Sequence, residues 1–300
     1  MNRKNDCIAV FGSNGQLGTE LLRSLRARQS ANVIALNHSD ADNTDAEAIR
    51  RVLNASQPQV VINCAAYVRV DDCEDHADEA FAVNAIGAFN ISRACAELSA
   101  FCIYISTDYV FDGSKSTAYL ESDPTCPINV YGASKLAGEF LTRQRVEESL
   151  IIRTASLFGN AGARGKSSNF TETIVRKARA GEPLRIVNDV RMSPTYARDA
   201  ADGIVALLAM GAKGIVHLVN DGSCTWYEFA KTALELTGIY APIEAISVEE
   251  YGSRARRPKN SSLQSERSLV RLRSWPDGLK AYLTEKGYVA EGPAIYNYER

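Results

Sequence analysis

Short apolar runs without polar alternation recur through the first half of the chain, at residues 7–12, 32–36, 60–66, 101–107 and 150–157. Unbroken runs of this kind predict parallel strands covered on both faces. Helical periodicity fills the intervals between them. Leu17, Leu21, Leu22 and Leu25 fall on one helix face, and Ala80, Val83, Asn84 and Gly87 on a later one. Strands separated by helices require right-handed crossovers, so the pattern predicts an α/β fold with a doubly wound parallel sheet of Rossmann type.

The second half is less regular. A helix is expected over 169–180, stopped by Gly181 and Pro183. Strands are expected at 184–188 and 215–220, and helices at 197–210 and 226–236, the last behind Ser223 and Thr225 as caps. Residues 254–262 form a basic, proline-containing loop, and the tail to Arg300 carries one more short helix. No repeat or low-complexity linker interrupts the chain.

Composition narrows the function classes. Of 300 residues, 45% are hydrophobic and 23% charged, the proportions of an ordinary globular protein. Lys and Arg total 34 against 36 Asp and Glu, which offers no electrostatic reason to expect nucleic acid or a membrane surface as partner. The apolar run behind basic Met1–Lys4 stops at Gly12, too short for a signal peptide, and no run approaches the ~18 apolar residues of a membrane span. Seven scattered cysteines without a C-x-x-C pair read as reduced thiols, so the expected location is cytoplasmic. The three histidines, His38, His76 and His217, have no metal-ligand spacing, and no metal is expected.

The first strand runs directly into Gly12-Ser13-Asn14-Gly15-Gln16-Leu17-Gly18, which opens a helix. Glycine permits the tight turn and a close approach of backbone to a pyrophosphate, and the helix N-terminus turns amide N–H groups toward the anion. Set between a strand and a helix, the pattern predicts dinucleotide binding, with a structural turn as the plainer alternative. The end of the second run, Leu36-Asn37-His38-Ser39, has neither the acid that would hold a ribose 2′-hydroxyl nor an arginine for a 2′-phosphate, which leaves NADH and NADPH both open. Asp42 and Asn43 follow closely enough to reach the adenine end, although Asp40, Asp42 and Asp45 also read as solvated loop acids. The expected division is a dinucleotide-binding domain over 1–152, with a return strand and helix from about 184–220. A smaller C-terminal substrate lobe, built from 153–183 and 221–300, completes the chain.

Tyr131 and Lys135 lie four residues apart in Tyr131-Gly132-Ala133-Ser134-Lys135, so a helix points both from one face. An ammonium beside a phenol lowers the phenol pKa from its usual ~10 toward the working range. A tyrosine so tuned protonates a carbonyl oxygen as hydride arrives at carbon, and the Thr107 hydroxyl at a strand end stabilises the same oxygen. The spacing alone is common; downstream of a glycine loop and a Ser-Thr strand end it becomes specific.

The chain resembles the extended short-chain dehydrogenase/reductases, and within them the dTDP-4-dehydrorhamnose reductase family. The residues that carry this are GSNGQLG (12–18), VVINCAAY (60–67), Val83-Asn84-Ala85, STDYVFDG (106–113) and YGASK (131–135). NFTET (169–173), SPTYARDAA (193–201), the run from Cys224 to Ala230, and Arg257-Pro258-Lys259-Asn260-Ser261 extend it over nearly the whole length. The resemblance implies reduction by NADPH, or NADH, of the 4-keto group of dTDP-4-dehydro-L-rhamnose to give dTDP-L-rhamnose. It implies Tyr131 as proton donor, Lys135 as its partner, and Thr107 as the group that tunes it, with Tyr131 and Lys135 also binding the cofactor. Thr107 and Asp108 would touch the sugar. Gly12, Gly15, Gln16, Leu17 and Gly18 would cradle the pyrophosphate, Asp42 and Asn43 the adenosine, and Ala65, Ala66 and Tyr67 the nicotinamide half. Two other readings stay open: a reductase of another nucleotide-linked ketosugar, and a non-catalytic NADP-binding regulatory subunit like the beta subunit of methionine adenosyltransferase.

Two segments depart from the family. Ser156 stands where relatives often carry a sugar-stacking tryptophan, and Asn188-Asp189-Val190-Arg191-Met192 differs from the usual glutamine and glycine. Phe158 and Met192 are the expected gap-fillers, with Arg191 free to meet a phosphate. Some relatives dimerise through magnesium. Its ligands do not map onto this chain, and a homodimer is the assembly the resemblance implies.

Overall fold

The computed structural model describes residues 6–27, 31–160 and 169–289. Six parallel strands form its central sheet: β1 (Asp6–Phe11), β2 (Ala31–Leu36), β3 (Val60–Asn63), β4 (Phe101–Thr107), β5 (Leu150–Thr154) and β10 (Gly214–His217). They lie in the order β10-β5-β4-β3-β1-β2, so the chain reverses its winding between β1 and β3. Ligands of open parallel sheets bind at such a switch point, beyond the carboxyl ends of the strands.

Helices cover both faces. On one side α1 (Gln16–Ala27) buries Leu17, Leu21 and Leu25 with Ile204 and Leu208 of α8 (Ala197–Ala209) against Val10, Ile62 and Ile152. On the other, α2 (Ala46–Ser56) and α5 (Gly87–Leu98) bury Ile49, Leu53 and Ile91 against Ala9, Val61 and Cys102. The acidic helix α3 (Val70–Asp75) is followed by α4 (Ala77–Phe81), which runs into α5 through a π-turn at Ala82–Ile86. The long α6 (Val130–Arg145) packs beside β4.

A second cluster of elements stands beyond β5. Here α7 (Phe170–Arg179), α9 (Trp226–Thr237), α10 (Val248–Tyr251) and α11 (Trp275–Glu285) accompany three two-stranded pairs. These pairs are β6 (Leu157–Phe158) with β9 (Thr195–Tyr196), β7 (Leu184–Val187) with β12 (Ile243–Ile246), and β8 (Arg191–Met192) with β11 (Cys224–Thr225). Phe158, Phe229, Leu279 and Tyr282 form its core. Arg198 of α8 ties the parts together, donating to Glu285 at 2.6 Å and to buried Glu20 of α1 at 3.4 Å.

Several elements differ from the sequence pattern for identifiable reasons. The third strand stops at Asn63, not 66, because the Asn63 side chain accepts the Ala65 amide at 3.0 Å and bends the chain out of the ladder. The run at 150–157 is two strands: Ser156 adopts φ +41°, and the chain leaves the sheet there. Leu184–Val187 lies outside the central sheet. Its Leu184 and Ile186 are buried while Arg185 is exposed, the one-sided pattern of a strand with a single covered face. Of the two proposed caps, Thr225 serves α9, accepting from the Glu228 amide at 3.1 Å in a capping box. The helix near the C-terminus is α11; residues 290–300 and 1–5 lie outside the described residues.

Gly18 lets the first turn of α1 sit against the glycine loop. A Cβ there would stand 2.2 Å from the Gly12 carbonyl oxygen and 2.9 Å from Ser13 Cα, both backbone. Gly18→Ala is therefore expected to destabilise the protein by about 1–3 kcal/mol. Urea unfolding should show a lower midpoint at unchanged slope, whereas an unchanged midpoint means the loop yields without strain.

Candidate active site

A cleft of about 1170 Å³ opens over the switch point and runs between the central sheet and the second cluster. At its floor the loops after β1 and β3 touch. Gly12, at φ +69°, comes so close that a Cβ would lie 2.7 Å from the Ala65 amide nitrogen. With Gly12 and Gly18 committed to backbone packing, Gly15, Gln16 and Leu17 present the start of α1 to the cleft. The first amides of a helix lack intrahelical acceptors, so this end of the cleft is suited to an anion.

The rim beside the glycine loop holds Asn37, His38 and Asn43. Asn43 is buried and donates to the Val83 carbonyl at 2.9 Å. Both nearby acids have their carboxylates engaged locally. Asp40 accepts the Asn37 amide at 2.9 Å, and Asp42 accepts the amide and hydroxyl of Thr44, each at 2.9 Å. Asp42 thus stands off the cleft wall that Asn43 lines.

Ala65, Ala66 and Tyr67 line the middle of the cleft. Their conformation is held by Asn84, a fully buried residue of the π-turn that the sequence offered as part of a helix face and of the Val83-Asn84-Ala85 motif, without a role. Its amide accepts from Tyr67 N–H at 2.8 Å and donates to the Tyr67 carbonyl at 3.1 Å and to Ser134 Oγ at 3.0 Å.

Opposite, α6 begins at an Asn129 cap, whose side chain accepts the Gly132 amide at 2.8 Å. Gly132 lies against the Tyr109 carbonyl, where a Cβ would be only 2.1 Å away. This contact seats Tyr131 next to the end of β4. Thr107 donates to Asp108 at 3.0 Å and hydrogen-bonds the Tyr131 phenol. Burial pushes that phenol well above its usual range and Thr107 pulls it down, while Asp108, Cys73 and Tyr109 push it further up. The resemblance assigned the lowering to Thr107, as found, whereas the helix spacing assigned it to the Lys135 ammonium. In the structure that ammonium instead donates to the Ile105 carbonyl at 2.6 Å and lies 4.1 Å from the Tyr104 ring centroid. Burial lowers Lys135 to about 7, and nearby Glu139 opposes the fall. Burial likewise raises the Asp108 carboxyl to about 6 against the Ser261 and Thr107 hydroxyls.

The far wall corrects the expectations for the substrate side. Phe158 and Met192 are 3% and 2% exposed within the aromatic core and do not reach the cleft. Arg191 is also occupied, donating to the Ser223 carbonyl at 3.0 Å and to Glu228 at 3.4 Å. Ser156 does line the cleft, and the aromatic surface near it comes from Phe170 and Trp226, an edge-to-face pair 4.9 Å apart. Arg257 closes the end of the cleft, paired with Asp71 at 2.8 Å. Trp226 and Arg257 stood in motifs noted in the sequence; only the packing brings them to the cleft. Among the described residues no cluster of His, Cys, Asp and Glu could hold a metal ion.

Comparison with known proteins agrees with this geometry. Residues 6–287 match the model of the RmlD substrate binding domain family. The chain is 38% identical over 282 residues to spore coat polysaccharide biosynthesis protein SpsK of Bacillus subtilis, covering 93% of this chain and 97% of that one. It is 37% identical over 277 residues to a dTDP-4-dehydrorhamnose reductase of Burkholderia thailandensis, covering 86% of this chain and 90% of that one. The crystal structure of a dTDP-4-dehydrorhamnose reductase from Bacillus anthracis in complex with NADP superimposes with TM-score 0.89 at 34% identity, over 94% of this chain and 99% of that one. With its parallel sheet, glycine turn and Thr-Tyr-Lys cluster matched over nearly the full length, the chain belongs to the RmlD substrate binding domain family.

Proposed function

We propose that this protein reduces the 4-keto group of dTDP-4-dehydro-L-rhamnose to the alcohol of dTDP-L-rhamnose, with NADPH as the reductant. The observation that carries the reading is the placement of Thr107, Tyr131 and Lys135 in one cleft with the glycine turn of 12–18. Bound there, NADPH would supply the hydride delivered to the sugar carbon.

The residues fit such a cofactor. Any side chain at Gly12 would fill the turn, and the opening amides of α1 face the cleft, which supports Gly12, Gly15, Gln16, Leu17 and Gly18 as the pyrophosphate cradle. Ala65, Ala66 and Tyr67 would flank the nicotinamide half, held in shape by Asn84. Asn43 would border the adenosine from the cleft wall and Asp42 from the rim. Among the described residues Asn37 and His38, not a carboxylate, line the cleft at that place, and Asp40 and Asp42 point to local backbone amides, which supports room for a 2′-phosphate.

Tyr131 would give its proton to the sugar oxygen as the new C–H bond forms. Thr107 steadies the phenolate left behind, and Lys135 holds positive charge beneath the pair. Asp108 and Thr107 would orient the sugar, and Phe170 and Trp226 would offer the flat faces that Ser156 lacks. The thiols of all seven cysteines are free, in keeping with a reducing cytoplasm.

Tyr131→Phe should lower kcat by ~100-fold or more while leaving NADPH affinity unchanged in a fluorescence titration. Near-normal turnover by the variant would remove the phenol from its role. A panel of nucleotide ketosugars, followed by nicotinamide absorbance, tests the substrate, and NADPH should serve at least as well as NADH.

Asp108 also predicts a pH effect on stability. Its carboxyl is raised from 3.8 to about 6 on folding, so it favours the folded state below its unfolded value and loses that contribution as pH rises through about 6. Asp108→Asn should therefore stabilise the protein by roughly 2–3 kcal/mol at pH ~8 and by almost nothing at pH ~4, at the expense of activity. Equal effects at both pH values in urea unfolding would contradict the burial argument.

A further inference from the structure

Helix α6 carries a third polar residue on the line that begins with the site. Tyr131, Lys135 and Glu139 are four residues apart in succession and face β4 as a row. The last three residues of β4 each answer one of them. Thr107 bonds the Tyr131 phenol, the Ile105 carbonyl accepts from Lys135 Nζ at 2.6 Å, and Ser106 Oγ donates to Glu139 in a very short hydrogen bond. Gly138 makes this approach feasible, since a Cβ would strike the Tyr104 hydroxyl at 2.3 Å and the Asn84 carbonyl oxygen at 2.4 Å.

From β5, Arg153 grips the same carboxylate with a two-pronged contact, Nε to Oε1 at 2.9 Å and Nη2 to Oε2 at 2.7 Å. Glu139 and Arg153 are each 3% exposed. Packing alone gives no reason for such a pair, because apolar residues of similar volume commonly match or exceed the stability of a buried ion pair. Its place beside Lys135 does give a reason. The groups that act on the ammonium are Cys64 from the loop after β3, Tyr104 from β4 and Glu139 from α6, with Arg153 behind Glu139. Burial pushes the Cys64 thiol up to about 12 and the Tyr104 phenol well above its usual range, so both are neutral at working pH. Among the described residues Glu139 is the standing negative charge that acts on Lys135.

We propose that Glu139, clamped by Arg153 and Ser106, is a positioning residue for the reduction: it keeps the buried Lys135 charged and seated on β4. The alkaline limit of turnover then depends on a carboxylate that touches neither substrate nor cofactor. The direction of the charges agrees, since burial draws Lys135 down to about 7 even with Glu139 opposing it. Without that carboxylate the ammonium loses its proton at lower pH, and with it goes the charge that the proposed function assigns to the partner of Tyr131. The inference rests on the reading of Tyr131 as proton donor and Lys135 as its partner.

The test compares wild type, Glu139→Gln and Glu139→Asp. Two readouts are needed: the pH profile of kcat/KM, and the titration of the Lys135 side chain by ¹³C NMR in cofactor-free, lysine-labelled protein. Glu139→Gln should move the alkaline limb of kcat/KM and the Lys135 midpoint down together by about one pH unit, roughly tenfold in activity on that limb. NADPH affinity should hold, and Glu139→Asp should recover part of both shifts. Should Glu139→Gln fail to fold, the double replacement Glu139→Leu, Arg153→Leu removes both charges as an apolar pair and is expected to show the same two shifts. A uniform loss of activity with the limb and the Lys135 midpoint in place means a structural pair only and overturns the proposal. A midpoint that falls while the limb stays overturns it as well. Because the NMR titration needs no turnover, its result stands apart from any failure of the ketosugar assay.

Discussion

The approach of Gly12 to Ala65 is the constraint on which the cleft depends. Two loops leave the sheet at its switch point, and their backbones meet so closely that no side chain fits between them. The contact seals the floor of the cleft and aims the start of α1 into it. Gly18 repeats the demand one turn later, where α1 must lie against the Gly12 carbonyl. Three glycines spaced by three residues are thus not equivalent: all three line the cleft, but a Cβ at Gly12 or Gly18 would strike backbone below 3 Å, whereas at Gly15 it would meet only the Gly12 carbonyl at 3.2 Å.

The opposite wall is organised by the seam between β4 and α6. Buried polar groups are costly unless satisfied, and here Asn84, Lys135, Glu139 and Arg153 are answered across the seam, while Asp108 Oδ2, Thr142 Oγ1 and Arg153 Nη1 are left without a partner. Asn84 holds Tyr67 from one side and Ser134 from the other, so the Tyr67 loop and the Tyr131 side of the cleft share one amide. Burial raises Tyr131 and Asp108 and lowers Lys135, and each shift disfavours a charge the chemistry uses. The local hydroxyls and Glu139 work against these shifts. A site of this kind trades folding stability for groups held ready to exchange a proton.

On the substrate side, the family pattern and this chain part at Ser156. The serine sits in the left-handed region at φ +41°, where a bulky side chain is strained, so the turn and the small residue belong together. The aromatic surface is supplied from another direction, by Phe170 and Trp226 of α7 and α9. Membership of the family rests on the match over residues 6–287 as a whole.

Much of this was legible in the residues. Unbroken apolar runs alternating with helical faces determine a parallel sheet, because that period is local and needs no knowledge of neighbours. The glycine turn and the pair Tyr131 and Lys135 are equally local, being set by a strand-to-helix junction and by one turn of helix. What only the tertiary structure decided are meetings between distant segments. Leu184–Val187 belongs to a side pair, Phe158 and Met192 to an aromatic core, and Arg191 to Glu228, although each looked available in the sequence. The Lys135 ammonium rests on a backbone carbonyl of β4, and Glu139 meets Arg153 across 14 residues of chain. Such contacts depend on how the helices settle on the sheet, and periodicity specifies which face is buried but not which atoms that face will meet.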